Sequence, residues 1–291
     1  LLQRDRFTVA NYRPGNYTGA LNASAWANSI GAAPSLAQAT GANQPIVLSW
    51  SGTNYLWLPG VNANYASTPN SASAQITGDL DLRVHCSRDD YVVSAYFPLI
   101  AKDNVTDREY ALFLRGAGLL TFSRLVGGVY SFADSSANAT LVNGTAYWFR
   151  VTHTVSDGSV RFYTSNDGVT WTQLGITQSI TAGNGQTTNA IVSAGSYSAA
   201  PWSVWAGKIF RAQIYNGING TLAVDFNPAL ASETSTNGAT FTAATGEVWT
   251  LNNTGAKPAQ IVGSPSLLFD GTAYTMAMAT TLIQPETIYM V

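Results

Sequence analysis

The stretch from Ala146 to Leu174, AYWFRVTHTVSDGSVRFYTSNDGVTWTQL, limits the fold more than any other part of the chain. Tyr147, Phe149, Val151, His153 and Val155 alternate with Trp148, Arg150, Thr152 and Thr154, the period of a strand with one buried face. Asp157-Gly158 and Asp167-Gly168 fall where the chain must reverse, because glycine reaches positive φ without steric cost and aspartate tolerates it. Three consecutive antiparallel strands joined by two tight turns follow, and with them an all-β fold.

The rest of the chain extends this pattern. IVLSW and NYLWL flank Ser51-Gly52-Thr53 and are expected to pair as a hairpin. Asp79 to Arg88 alternates, Tyr91 to Ile100 is a second β-rich run, and Gly116-Ala117-Gly118 separates Glu109 to Arg115 from Leu119 to Val126. Beyond the meander, Ala190 to Ser196, Val204 to Tyr215 and Thr221 to Phe226 read as further strands. Turns recur roughly every ten residues and no amphipathic stretch exceeds a helical turn or two, which indicates a sandwich or jelly roll and not a βαβ fold. Residues 1-44 read as an irregular opening segment with one strand, and 45-253 as the sandwich. Thr40-Gly41-Ala42 ahead of QPIVLSWSGTNYLWL is similar to Thr254-Gly255-Ala256 ahead of PAQIVGSPSLLFDGTAYTM, so 254-291 is expected to start a second similar domain or form a C-terminal extension.

Charge excludes several classes of partner. Fourteen Lys and Arg against sixteen Asp and Glu, scattered along the chain, leave no footprint for a phosphate backbone, so nucleic acid is not an expected partner. A hydrophobic content of 46% at a net charge of −2 excludes disorder. No run approaches the ~20 apolar residues of a membrane-spanning helix, so membrane insertion is not expected. Cys86, the single cysteine, continues the row Leu80, Leu82, Val84 and is read as a small buried apolar residue.

Catalytic patterns are weak. A retaining glycosidase needs two carboxylates about 5 Å apart, and only Asp79 and Asp81 are spaced for that; Arg83 and His85 continue their row, and the two acids are expected on a solvent face. His153 shares its face with Phe149 and Val151 and is expected to be packed or hydrogen-bonded. No set of zinc ligands is spaced for a site. The run from Ser165 to Trp171 is similar to the Asp box of sialidases but one residue short, which predicts a turn in which Asp167 bonds backbone amides over Trp171. Aromatic residues in a loop can stack on the apolar faces of sugars, and Tyr197, Trp202 and Trp205 are the candidate ligand-binding residues; the alternative is that the tryptophans cover the core edge or a subunit contact.

Four segments, YLWLPGVNANYASTPNSASAQITGDLDLRV, YWFRVTHTV, RFYTSNDGVTWTQLG and AGKIFRAQIYNGINGTLAVDFNP, together resemble the laminin G-like, concanavalin A-like jelly-roll domains of bacteriophage and prophage structural proteins. The resemblance implies a two-sheet antiparallel jelly-roll sandwich, its sheets packed face to face, and a non-enzymatic virion module, in capsid decoration, tail or fibre, acting in assembly or surface adhesion. It implies a virion-surface or extracellular location, with other virion proteins, copies of itself in a symmetric oligomer, and cell-surface glycans as partners. The alternative within the same fold is a lectin-like carbohydrate binder or a polysaccharide-degrading enzyme. Jelly rolls of this kind often hold Ca2+ at loop edges, and the loop acids Asp89, Asp90, Asp103 and Asp107 are the candidates here.

Overall fold

The computed structural model describes residues 52–92, 95–104, 106–196, 205–253 and 258–263, together with the backbone of a few short strands outside them. The chain divides into two compact units, Gly52–Gly263 and a second made of both flanks, Leu1–Ser51 and Ser264–Val291. In the flanking unit β1 (Ala25–Trp26), β2 (Leu36–Ala37) and β3 (Ile46–Leu48) come from the N-terminal side. The central unit holds β4 (Tyr55–Pro59), β5 (Tyr65–Thr68), β6 (Leu80–Arg88), β7 (Tyr96–Asp103), β8 (Arg108–Arg115), β9 (Leu119–Val126), β10 (Val129–Asp134), β11 (Ala146–His153) and β12 (Ser159–Ser165). It continues through β13 (Thr172–Gln173), β14 (Gln178–Ser179), β15 (Val192–Ala194), β16 (Ala206–Asn216), β17 (Thr221–Phe226), β18 (Thr240–Thr242), β19 (Val248–Asn252) and β20 (Gln260–Val262). The flanking unit then adds β21 (Ser266–Leu268) and β22 (Ala277–Met278).

Every strand pair is antiparallel, and the central unit forms two sheets. One runs β10-β9-β8-β7-β15-β5-β19-β18; the other runs β13-β12-β11-β6-β16-β4-β20, with β14 beside β12 and β17 beside β16. Alternation along each strand sends one set of side chains between the sheets. Leu82, Val84, Cys86, Phe149, Val151, Phe162 and Ile214 meet Leu99, Leu112, Leu120, Phe122, Val192 and Trp249 in one continuous core. Trp249 satisfies its indole by donating to the Asp225 carbonyl at 3.1 Å. This is the expected jelly-roll sandwich, with no α-helix among the described residues. Cys86 lies in its core, where burial raises the thiol pKa.

Three expectations shift. IVLSW and NYLWL do not pair with each other: β3 pairs with β21, whereas β4 lies between β16 and β20. Residues 260–262 are therefore an edge strand of the sandwich, in register Tyr55↔Val262 and Trp57↔Gln260, and the boundary at 254 moves to 263. The run after it joins the N-terminal flank through β3–β21 and β2–β22. The strand expected from Tyr91 starts at Tyr96, because Tyr91 instead bonds Asn143 and Thr145.

Candidate functional site

At one end of the β11–β12 hairpin a groove of about 650 Å³ opens between residues 138–141 and the turn at 165–172. Ala139, Leu141, Leu174 and the half-buried Tyr147 form its apolar lining. Asn138, Thr140, Asn166, Asp167, Thr170 and Thr172 carry exposed amides, hydroxyls and one carboxylate along it. The Tyr147 hydroxyl accepts from the Val142 amide at 3.2 Å, fixing the ring.

The turn at this groove is stitched from within. Asp167 Oδ1 accepts from the amides of Val169 and Thr170 at 2.8 and 2.7 Å and from the Ser165 hydroxyl at 2.8 Å, while Ser165 Oγ accepts from the Gly168 amide at 2.9 Å. The Thr170 and Val169 amides, with the Ser165 hydroxyl, hold the carboxyl well below the usual carboxylate range. Gly168 sits at φ +73°, and a Cβ there would lie 2.7 Å from the Trp148 ring. His85 stacks on Trp148 at 4.8 Å and 4°, so Trp148 is engaged by His85 as well as by the turn. The turn and its Asp167 bonds to backbone amides are as expected, but the ring against Gly168 is that of Trp148, and Trp171 lies edge-on to Trp148 at 6.4 Å.

Asp81, one of the two acids spaced for glycoside hydrolysis, is fully buried on the outer side of the same sheet. Arg83 and Arg150 each grip it through Nε and Nη2 at 2.7 to 3.1 Å, and the Asn219 amide adds a bond at 3.1 Å. Trp171 lies 5.7 and 5.4 Å from the two guanidiniums, with Tyr215 on Arg83 and Tyr163 on Arg150. Burial works against the charge, but the hydrogen bonds and charges of Arg83 and Arg150 prevail and keep the carboxyl below its ordinary range. A carboxylate so occupied has neither a proton to give nor a lone pair to spare, and Asp79 accepts from the Val155 amide at 2.9 Å. The expectation that these acids face solvent fails for Asp81 because register brings Arg150 beside Arg83 from the next strand.

The other sequence candidates do not assemble into one site. Tyr197 and Trp202 lie outside the described residues. Trp205 is 1% exposed and packs edge-to-face on Phe97, so it has no open face for a sugar. Asp89 and Asp90 come before the start of β7 and Asp103 is its last residue, at the far end of a strand roughly 23 Å long. Asp103 accepts from the Tyr130 hydroxyl at 2.5 Å, and Asp107 accepts from the Asn104 side chain at 3.2 Å. These four acids do not fit one Ca2+ site, and no three His, Cys, Asp or Glu come together among the described residues. His153 is packed as expected, with Arg124 Nη1 2.7 Å from its Nδ1. The groove residues carried no distinguishing pattern in the sequence beyond the Ser165–Trp171 turn itself.

No family model and no curated protein matches the chain. Among solved structures it is similar to the heptameric SAP-like pentraxin of Limulus polyphemus, at 13% identity and a TM-score of 0.42 over 58% of this chain and 79% of that one. It is also similar to the CBM40 of the Ruminococcus gnavus IT-sialidase bound to α2,3-sialyllactose, at 14% identity and a TM-score of 0.40 over 55% and 91%. Domains LG4-5 of the mouse laminin α1 chain align at 14% identity and a TM-score of 0.42 over 64% and 47%. Likeness at these scores says nothing about what this chain binds, which its own geometry must supply.

Proposed function

We propose that the sandwich is a non-catalytic binding module for uncharged sugar units, working outside the cell, with the groove beside the Asp167 turn as its site. The observation that carries this is the combination of an apolar lining containing Tyr147 with exposed amides and hydroxyls at Asn138, Thr140, Asn166, Thr170 and Thr172. A pyranose has apolar C–H faces and a girdle of hydroxyls, and such a site meets both while its volume lies in the range of small-ligand pockets. The occupied state of Asp81 supports binding over hydrolysis. A glycan array followed by calorimetry tests the reading: a neutral glycan binds, and Asn166→Ala with Thr172→Ala weakens it about tenfold or more, roughly 1.4 kcal/mol. Reducing-end release from a polysaccharide, or binding unchanged in the double variant, would overturn it.

Placement on a virion has only the sequence resemblance behind it. Self-association has a specific support: β10 is a sheet edge that exposes Val129 and Phe132 at 56% and 54%. Light scattering across dilution is expected to give more than one chain per particle, and Phe132→Lys to lower that mass.

A further inference from the structure

Arg88 closes strand β6 with its side chain almost wholly buried, at 5% exposure. Arg83, Arg115, Arg150 and Arg211 each face a carboxylate, and Arg124 meets two carbonyls and His153 through its terminal nitrogens, with only its Nε unmet. Arg88 differs: its Nε and Nη1 are buried and meet no acceptor among the described residues. The Nε1–H of Trp205, 1% exposed, is likewise unmet. These orphans are neighbours, since the Arg88 guanidinium carbon lies 3.5 Å from the Phe97 ring centre and 5.9 Å from that of Trp205. Phe97 covers the flat face of the guanidinium, which leaves its in-plane N–H donors unanswered. Asp89 and Asp90 follow directly in the sequence and their charges favour the Arg88 cation from a distance, yet neither comes within ion-pair distance to answer its donors; Asp90 instead accepts from the Val92 amide at 2.8 Å.

A buried cation with empty donors beside a buried indole N–H is costly unless something supplies acceptors. The missing partner must accept and not donate, must approach in the guanidinium plane, and should carry negative charge. A carboxylate group meets all three conditions, because its two coplanar oxygens match the guanidinium fork. We propose that Arg88 and Trp205 form a binding site for a carboxylate, one oxygen or both on the Arg88 fork and one taking the Trp205 Nε1–H. The site uses none of the groove residues and stands or falls separately from the sugar-binding reading.

Two sources can bring this group, a free small acid or the carboxylate of an acidic sugar, and one titration separates them. In the 15N-labelled full chain, the Trp205 indole N–H is assigned by its loss in Trp205→Phe and the Arg88 Nε–H by its loss in Arg88→Lys. Sodium acetate and sodium glucuronate are titrated against sodium chloride at equal ionic strength. The expected result is a saturable shift of both resonances with carboxylate and none with chloride. The shift of the Trp205 resonance is lost in Arg88→Lys, which keeps the charge without the fork, and binding is weakened in Trp205→Phe. Equal response to acetate and glucuronate identifies a bare carboxylate as sufficient, and response to glucuronate alone identifies an acidic sugar. Resonances that move no further with either acid than with chloride, as an internal water at these donors would give, overturn the proposal. Should Arg88→Lys fail to fold, the wild-type titration and Trp205→Phe still decide it.

Discussion

Asp81 shows how much a single side chain can hold. Its carboxylate is buried and bonded by two guanidiniums and a backbone amide, so Asp81→Asn leaves two cations without their shared anion. Breaking such a buried pair costs about 3–5 kcal/mol, and denaturant unfolding should show a loss of that size, with a smaller one for Arg83→Met because Arg150 remains. The histidines set a pH response. Burial brings both His153 and His85 from 6.5 to about 4, with Arg124 adding to the effect at His153. Between those values the unfolded chain binds more protons than the folded one, so their contribution to stability is complete above about 6.5 and is lost as pH falls toward about 4. Denaturation midpoints at about pH 7 and about pH 5 should therefore fall with pH, and His153→Gln should reduce the difference. The sequence shows Asp81 two residues from Arg83 but not Arg150, which reaches the site only through the register of β11 on β6. It likewise shows His153 on a buried face without showing Arg124 from the other sheet.

At the scale of elements, the two turns of the meander were legible because glycine at a reversal has one meaning, and both glycines adopt positive φ, +72° at Gly158 and +73° at Gly168. Their surroundings were not legible. Gly168→Ala meets both the backbone cost and the Trp148 ring, whereas Gly144→Ala, at φ +76° with open space around it, meets only the first. Thermal melts should thus rank Gly168→Ala as the more damaging by about 1 kcal/mol or more. Strong alternation made β6, β11 and β12 readable; β5 and β18, four and three residues long, were missed because so short a run shows no period. Pairing across long separations was the real blind spot: nothing local tells Tyr55–Pro59 to pass over its neighbour β3 for a strand two hundred residues on. The groove was hidden for the same reason, since its sides are brought together by pairing and not by a motif.

For the whole molecule, the sandwich carries its own continuous core and both its sheets within Gly52–Gly263. That segment produced alone should unfold in one cooperative transition, with strand-type circular dichroism; a broad non-cooperative melt would show that the flanks are needed. The pairing of β4 with β20 also has a mechanical consequence. Because Tyr55 lies opposite Val262, the chain enters and leaves the sandwich at the same end of one strand pair. Tension between the flanks would load the bridging hydrogen bonds one after another, as a zipper is opened, and not all together as in shear. The sandwich should consequently yield to a small pulling force along its own termini, releasing β20 first and drawing Ile261 out of the core with it.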